Sequence, residues 1–304
     1  MYPFQNILFS TDFSNNSKSA LKYAAAFARQ HNATLFIHNS QEASLPPNAL
    51  KLSERALSDG NHQWLITIKK ELENLAHSHL LTGLKVELIL TEGNPKEEIP
   101  RVIRDHGIDL AAIGTTARPG LGGALGSTAL SVMGQASCPL LFTRQPLHDF
   151  VYYKKSETNI ALNRILFATS LSDTDDSAKR LAFALAHAHQ AELTILHSIG
   201  SFLGYIQAVS LTKIIDVEDR VRSDASERLS QLAKEAGDVV AETLLTEGSC
   251  ADEVLRVATE KDVDLIVIGT GKPNGTNTLP GREAERIVRH ACCPVLTIRH
   301  GTIA

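Results

Sequence analysis

The amino-acid sequence predicts an α/β protein built as two doubly wound, five-stranded parallel-sheet domains in one chain. Three observations carry this expectation. With 304 residues the chain has the length of two domains. Its short apolar runs alternate with longer stretches of helical period, the rhythm of a parallel sheet covered on both faces. And the chain is written twice. Asn6-Ile7-Leu8-Phe9-Ser10-Thr11-Asp12 returns as Arg164-Ile165-Leu166-Phe167-Ala168-Thr169-Ser170, 158 residues on. Thr91-Glu92-Gly93 returns as Thr246-Glu247-Gly248, Asp109 to Thr115 as Asp264 to Thr270, and Cys138-Pro139-Leu140-Leu141 as Cys293-Pro294-Val295-Leu296, all 155 residues on. A constant late offset means that no insertion separates the copies from the third strand onward. The expected boundaries are 1–145 for the first domain, 146–160 for a linker and 161–304 for the second domain.

In the first copy the apolar runs place strands at Asn6–Thr11, Thr34–Asn39, Lys85–Thr91, Leu110–Gly114 and Leu140–Thr143. Between the first two, Ala20, Tyr23, Ala24, Phe27 and Ala28 form one stripe at helical spacing, and its alanines let the helix sit close on the sheet. Ser177 to His189 repeats this helix, with Asp173, Asp175 and Asp176 at its start, where carboxylates complement the helix dipole. A second helix is expected over Gln63–Leu80, with Trp64, Ile68, Leu72, Leu75 and His79 near one face, and its counterpart runs from Val217 to Ala236. Ahead of it, Gln41 to Asn61 reads as a surface loop. Glu97–Asp105 and Ala251–Thr259 supply the helices before the fourth strands. The segment from Gln145 to Ala161 has no sustained period, so it reads as an irregular linker whose Tyr152 and Tyr153 pack against a domain surface.

Lys and Arg number 30 against 34 Asp and Glu, a net charge of −4 with 21% charged residues of mixed sign. This balance argues against a disordered solvating chain and against a strongly basic nucleic-acid binder, so no nucleic-acid partner is expected. The start, Met1 to Asp12, has no basic region ahead of a long apolar stretch, and no segment keeps about 18 apolar residues together. A cytoplasmic protein with no membrane partner is the expectation. Cys138, Cys250, Cys292 and Cys293 make no disulfide framework and are expected as reduced thiols.

In a doubly wound sheet ligands bind outside the carboxyl ends of the strands where the strand order reverses. Those ends carry Ser10-Thr11-Asp12, His38-Asn39-Ser40 and the long run from Gly114 to Thr128. In that run small residues let backbone N–H groups approach a ligand, and Gly126-Ser127-Thr128 stand at a helix start, which suits phosphate. Asp12 can accept hydrogen bonds from a ribose or reach a magnesium ion beside phosphates. Read from the residues alone, the loop fits nucleotide binding or a bare glycine-rich connection equally. The close pairs His77/His79 and His187/His189 do not share a helix face and grip no metal by themselves. His38 and His197 are taken as structural residues ending corresponding strands. Cys250, Cys292, Cys293 and His290 suggest zinc, but adjacent cysteines in an extended segment point to opposite faces. No nucleophile, base and orienting acid can be assembled, and no Walker lysine follows the glycines, so no efficient catalysis is expected, slow ATP hydrolysis at most.

The strand ending in Ser10-Thr11-Asp12, the loop from Gly114 to Gly126-Ser127 and the final Ser137-Cys138-Pro139-Leu140-Leu141 resemble the universal stress protein domain, and the second copy resembles it in its strands and in Ala291 to Ile298. The resemblance covers almost the whole chain outside the linker. It implies a Rossmann-like fold, similar to the adenine nucleotide alpha hydrolases, and an intrachain pseudo-dimer in which Leu140–Thr143 and Val295–Ile298 pair antiparallel. A homodimer of whole chains is compatible with that arrangement. It further implies a cytoplasmic stress-response role with unidentified protein partners, and ATP, accompanied by magnesium at Asp12, as ligand. Carried over residue by residue, Ser10, Thr11, Asp12 and Asn39 bound the adenine and ribose, Ile113 and Gly114 line the floor, and Ala117, Gly126, Ser127 and Thr128 face the triphosphate. The family's ATP-binding loop reads Gly, two residues, Gly, nine residues, then Gly with Ser or Thr. Here Ala117 replaces the second glycine and eight residues precede Gly126, so the loop is one residue short. Copy two departs further, with Ser170 in place of the acid, Lys272 at the second glycine and Arg282 after Gly281. It is expected to be structural or regulatory. The alternative is a nucleotide-independent interaction protein, or a binder of another small molecule.

Overall fold

The computed structural model describes residues 4–42, 66–115, 125–144, 148–154, 157–172, 176–200, 211–270 and 281–299. In chain order the first half contains β1 (Asn6–Ser10), α1 (Asn15–His31), β2 (Thr34–Gln41), α2 (66–76), β3 (Lys85–Glu92), α3 (Pro95–Asp105), β4 (Leu110–Gly114), α4 (Ser127–Gln135) and β5 (Leu140–Thr143). A hairpin follows, β6 (Val151–Lys154) and β7 (Glu157–Ile160). The second half contains β8 (Arg164–Ala168), α5 (Asp176–His189), β9 (Glu192–Ile199), α6 (Leu211–Glu235), β10 (Ala241–Glu247), α7 (Cys250–Glu260), β11 (Leu265–Thr270), α8 (Arg282–His290) and β12 (Val295–Arg299).

The strands join in one sheet of ten, ordered β10-β9-β8-β11-β12-β5-β4-β1-β2-β3. Within each half every pairing is parallel, and the halves meet through the antiparallel pair β12 and β5, with Leu296 opposite Leu141. Neither of these two strands is left as an open edge. One face of the sheet packs with α1 and α5 around Phe9, Tyr23, Phe27, Phe167 and Leu181. The other packs with α3, α4, α7 and α8 around Leu8, Ile103, Val132, Leu166 and Val254. Strands flanked by helices on both faces are apolar throughout, as at Ile7, Leu8 and Phe9, each 0% exposed.

Two expectations change. The second helix of the first half ends at residue 76, and His79 is exposed at the start of a 3-10 turn, His79–Leu81; Leu72 is buried as expected, and Trp64 lies outside the described residues. The segment read as an irregular linker holds the β6–β7 hairpin, because Phe150 and Val151, not Tyr152, supply its apolar side. Phe150 is 1% exposed and packs 4.9 Å from the Tyr23 ring, while Tyr152 is 46% exposed. Asp149 completes the attachment, accepting from the Tyr23 hydroxyl at 2.8 Å and pairing with Lys22. The hairpin lies on α1, where Leu21, Ala25 and Ala26 are buried in addition to the predicted stripe.

Candidate functional site

β1 lies between β2 and β4, and the chain runs outward from it to β2 and β3 before crossing back to β4 and β5. The order therefore reverses beside β1, where Ser10 stands opposite His38 on one side and Ile113 on the other.

Beyond β1 the chain turns tightly into α1. The Thr11 hydroxyl accepts from Phe13 N at 2.9 Å and lies 2.9 Å from Ser17 Oγ, which itself donates to Ser14 O at 2.9 Å. Either hydroxyl of the Thr11–Ser17 pair can be the donor. Ser14 caps the helix by accepting from Ser17 N. This turn holds Phe13 in the left-handed region, φ +60°, and Leu171 of copy two at φ +59°, with Thr169 accepting from Leu171 N in the same way. Such backbone costs of order 1–3 kcal/mol for a bulky residue, so the surrounding bonds must over-determine it.

Asp12 is exposed at this turn, and its Oδ1 accepts from Ser14 N at 3.0 Å. Partial burial works to raise its pKa, but the hydrogen bonds of Ser14 and Ser17 together outweigh it and hold the carboxyl below the usual range. Asp12 is thus an ionised acceptor at the crevice. The other residues at the strand ends face inward. Asn39, 1% exposed, donates to Thr11 O at 2.7 Å and accepts from Gln41 Nε2 at 2.7 Å. Ile113 is buried in the core. Gly114 lies under the first turn of α1: a Cβ there would fall 2.3 Å from Asn16 O and 2.5 Å from Ser17 Cα. Thr11, Asn39, Ile113 and Gly114 thus shape the site from behind, while Asp12 faces out and Ser10 is half-buried.

Gly126 opens α4 with no side-chain cap and no carboxylate in its first turn, and nothing among the described residues lies within 4 Å of where a Cβ would be. Ser127 is exposed and Thr128 half-buried there, so backbone N–H groups and two hydroxyls gather at the positive end of a helix dipole. Leu125 and Ala129 pack this helix start into the same core cluster as Ile113. Ala117 lies outside the described residues, as does Lys272.

Copy two differs at each of these points. Ser170 replaces Asp12, its hydroxyl 2.7 Å from that of Ser172. The first turn of α8 carries Glu283 and Glu285 beside Arg282. Glu283 accepts from Ala251 N at 2.6 Å and Ser249 Oγ at 3.1 Å, so a carboxylate occupies the ground between two helix starts. A cavity of about 630 Å³ lies in this half between α5 and α6, lined at one end by Thr169, Leu171 and Ser172 of the same turn. Its cations are already engaged: Lys179 pairs with Asp176 and Glu235, and Arg228 donates to Leu171 O. We place the candidate site at the crevice of copy one because there, among the described residues, the exposed acceptor and the uncapped helix start have no charged side-chain partner.

A buried polar chain that sequence reasoning took only as structural lies behind Ser10. Its hydroxyl is 3.2 Å from His38 Nδ1, and His38 Nε2 is 2.9 Å from Thr91 Oγ1. His38 is 0% exposed, and burial pushes its pKa down to about 4, so the ring is neutral. The sheet register fixes the residue equivalence within these corresponding strands. Ser10 opposes His38 and its counterpart Ala168 opposes Leu196, so His197 corresponds to Asn39 and not to His38. His197 takes over the Asn39 role, its Nδ1 2.8 Å from Thr169 O. In copy two Ala168 and Leu196 replace the Ser10–His38 pair together, and the Thr91 counterpart, Thr246, keeps a buried hydroxyl with no partner among the described residues. The signal in the sequence was this joint replacement, visible once the repeat is aligned.

Among the described residues no three His, Cys, Asp or Glu side chains gather into a metal site, and no helix is long and apolar enough to cross a membrane.

Comparison with known proteins agrees with this architecture. A universal stress protein of Methanocaldococcus jannaschii is 31% identical over 139 residues, covering 45% of this chain and 81% of its own length. YxiE, a universal stress protein of Bacillus subtilis, is 34% identical over 149 residues, 45% of this chain and 99% of its own. Each relative spans about one copy. The crystal structure of a universal stress protein from Archaeoglobus fulgidus matches across 99% of both chains with a TM-score of 0.63 at 17% identity, and that of a functionally unknown protein from Pseudomonas aeruginosa matches 98% of this chain and 94% of its own with a TM-score of 0.64, also at 17%. At such identities the likeness is one of fold. The Universal stress protein family matches twice, over residues 3–144 and 161–299, the two halves that meet at β5 and β12. Two copies of one domain, each with its reversal point beside the first strand, make this chain a member of the universal stress protein family.

Proposed function

We propose that the first domain, residues 1–145, binds ATP at the crevice beside β1, and that the chain acts as a cytoplasmic stress-response regulator. The second domain, 161–304, is structural or regulatory, joined through 146–160. The observation that carries this reading is the contrast between two helix starts: α4 has no cap and no carboxylate, whereas α8 carries Glu283 and Glu285. An anion gains from the N–H groups and dipole of the first and is repelled by the charges of the second.

Asp12 accepts hydrogen bonds from the ribose hydroxyls or the adenine amino group. Ser10 presents a hydroxyl oriented by neutral His38. Thr11 and Asn39 act on each other, holding the turn that presents Asp12, Gly114 forms the wall on which α1 rests, and Ile113 backs the start of α4. Gly126, Ser127 and Thr128 receive phosphate oxygens, with Ala117 on the intervening loop. The residues fit a magnesium ion only as a companion of the triphosphate, held chiefly by phosphate oxygens, since Asp12 is the one carboxylate offered at this turn. Nucleotide occupancy then alters the surface read by protein partners.

Calorimetric titration of nucleotide-stripped protein with ATP and magnesium, beside Asp12→Ala, tests this. One site per chain, lost in the variant, is the expected result. No heat at millimolar ATP, with no thermal shift, would favour the alternative of a nucleotide-independent interaction protein, for which the shortened loop with Ala117 speaks.

A further inference from the structure

The buried chain behind Ser10 continues past Thr91. Ser10 stands opposite His38 and His38 opposite Ile89, so Thr91, two residues on, shares their face of the sheet, the one covered by α3 and α4. The Thr91 hydroxyl bonds the carboxylate of Glu98 in the first turn of α3. Arg101 donates to both oxygens of that carboxylate, its Nε 3.3 Å from Oε1, and these bonds, with burial opposing and Thr91 adding to them, hold Glu98 below the usual carboxyl range. Gly93 makes the room: a Cβ there would fall 2.9 Å from Glu98 Cγ and 3.1 Å from Oε1. Copy two keeps the counterparts Glu253 and Arg256, 155 residues on. There Glu253 Cγ stands 3.9 Å from the corresponding place at Gly248, and the Thr246 hydroxyl has no partner among the described residues. The carboxylate closes on its threonine only in the copy that carries the serine and the histidine.

That carboxylate sets the direction of every proton in the chain. Ionised, it only accepts, so the one proton of the Thr91 hydroxyl goes to Glu98. The Thr91 oxygen, 2.9 Å from His38 Nε2, then accepts from the ring. Burial keeps the ring neutral, so with its proton on Nε2 the other nitrogen, Nδ1, is bare and accepts from Ser10 at 3.2 Å. Ser10, half-buried at the crevice, has no proton left and offers only lone pairs there.

We propose that Glu98 is a positioning residue which, through Thr91 and His38, fixes Ser10 as an acceptor-only hydroxyl, and that the crevice thereby selects a nucleobase bearing an amino group, adenine, against one bearing a carbonyl at the same position, hypoxanthine or guanine. The selectivity rests on the nucleotide reading given above. Asp12, also an acceptor, stands two residues on, so at this end of the site a base meets acceptors from both side chains. An amino group donates to them. A carbonyl turned toward Ser10 leaves both oxygens unpaired, and a mismatch of that kind discriminates more sharply than the gain of one contact. Copy two has Ala168 and Leu196 in place of Ser10 and His38 and offers no such choice.

Calorimetric titration of the nucleotide-stripped full chain with ATP and with inosine triphosphate, which bear an amino group and a carbonyl at that position, tests the selectivity. ATP is expected to bind about tenfold or more tighter. In Glu98→Gln the amide can donate to Thr91, the chain can run the other way and Ser10 can turn its proton to the crevice, so the preference is expected to fall to within about threefold. A loss of packing alone would weaken both nucleotides equally. Nitrogen-15 NMR reads the His38 tautomer with no nucleotide present, its signals assigned by their absence in His38→Leu. A proton on Nε2 with bare Nδ1 is expected in the wild type, and the Nδ1–H form appears in Glu98→Gln. A wild-type ring protonated at Nδ1, ATP and inosine triphosphate bound alike by the wild type, or a preference unchanged in Glu98→Gln would each overturn the proposal. No heat with either nucleotide, beside the expected tautomer, would instead overturn the nucleotide reading and remove the selectivity with it. The wild-type tautomer and the wild-type preference need no variant of Glu98.

Discussion

His38 is a neutral ring in a dry place, and that makes a pH dependence. Its folded pKa of about 4 lies below the ordinary 6.5. As pH falls through 6.5 the unfolded chain takes up a proton that the folded chain refuses, so stability falls from there to about pH 4 and then levels. The difference corresponds to a contribution on the order of 3 kcal/mol. Replacing Ser10→Ala and His38→Leu together installs the copy-two pair. Urea unfolding at pH 7 and pH 5 is expected to show a smaller acid loss in this variant than in the wild type; an unchanged loss would mean that the ring is protonated in the folded protein. The single change His38→Leu takes one partner from the Thr91 hydroxyl, which keeps its hydrogen bond to Glu98, and costs about 0.5–1.5 kcal/mol.

At the scale of elements, α1 and α4 are the pieces that build the crevice. α1 rests on β4 through Gly114, where a methyl group would meet backbone atoms of Asn16 and Ser17. Gly114→Ala is expected to destabilise by roughly 1–3 kcal/mol in chemical denaturation, because backbone cannot step aside as the end of a side chain can. The start of α4 allows stability and binding to be separated. Thr128→Glu places the copy-two residue, Glu283, in the first turn of α4. A carboxylate there favours the helix by about 0.3–1 kcal/mol yet repels phosphate. We expect an unchanged or slightly raised Tm in the absence of ligand and at least about tenfold weaker ATP binding by calorimetry. Equal affinity in the variant would place the phosphates elsewhere.

For the whole molecule the decisive contact is β5 against β12, since it turns two five-stranded halves into one sheet. Leu141 and Leu296 face each other there, 0% and 2% exposed. Leu141→Asp buries an unpaired charge in the seam. Scanning calorimetry is expected to show one cooperative transition for the wild type and, for the variant, a split or strongly lowered one, whereas an unchanged Tm would mean that the seam contributes little. The Arg144 bonds to Ala291 and Arg289 reinforce the same seam from outside the sheet.

The strands, most helices, the duplication and the antiparallel seam were legible in the sequence, because apolar periodicity and repetition are local signals and the family resemblance supplied the pairing. The candidate site was legible as a set of residues at strand ends, but not in its division of labour. Thr11 and Asn39 read as ligand contacts by type and place, and the fold turns their polar atoms onto each other; Gly114 read as floor and supports a helix. The hairpin on α1 and the chain from Ser10 to Thr91 were decided by tertiary structure alone. The reason is physical. A residue type states what a group can donate or accept, and the sequence by itself thus determined which groups are present and on which strand end they stand. Which partner satisfies each of them depends on sheet register and on how closely a helix approaches, distances set by residues far apart in the chain.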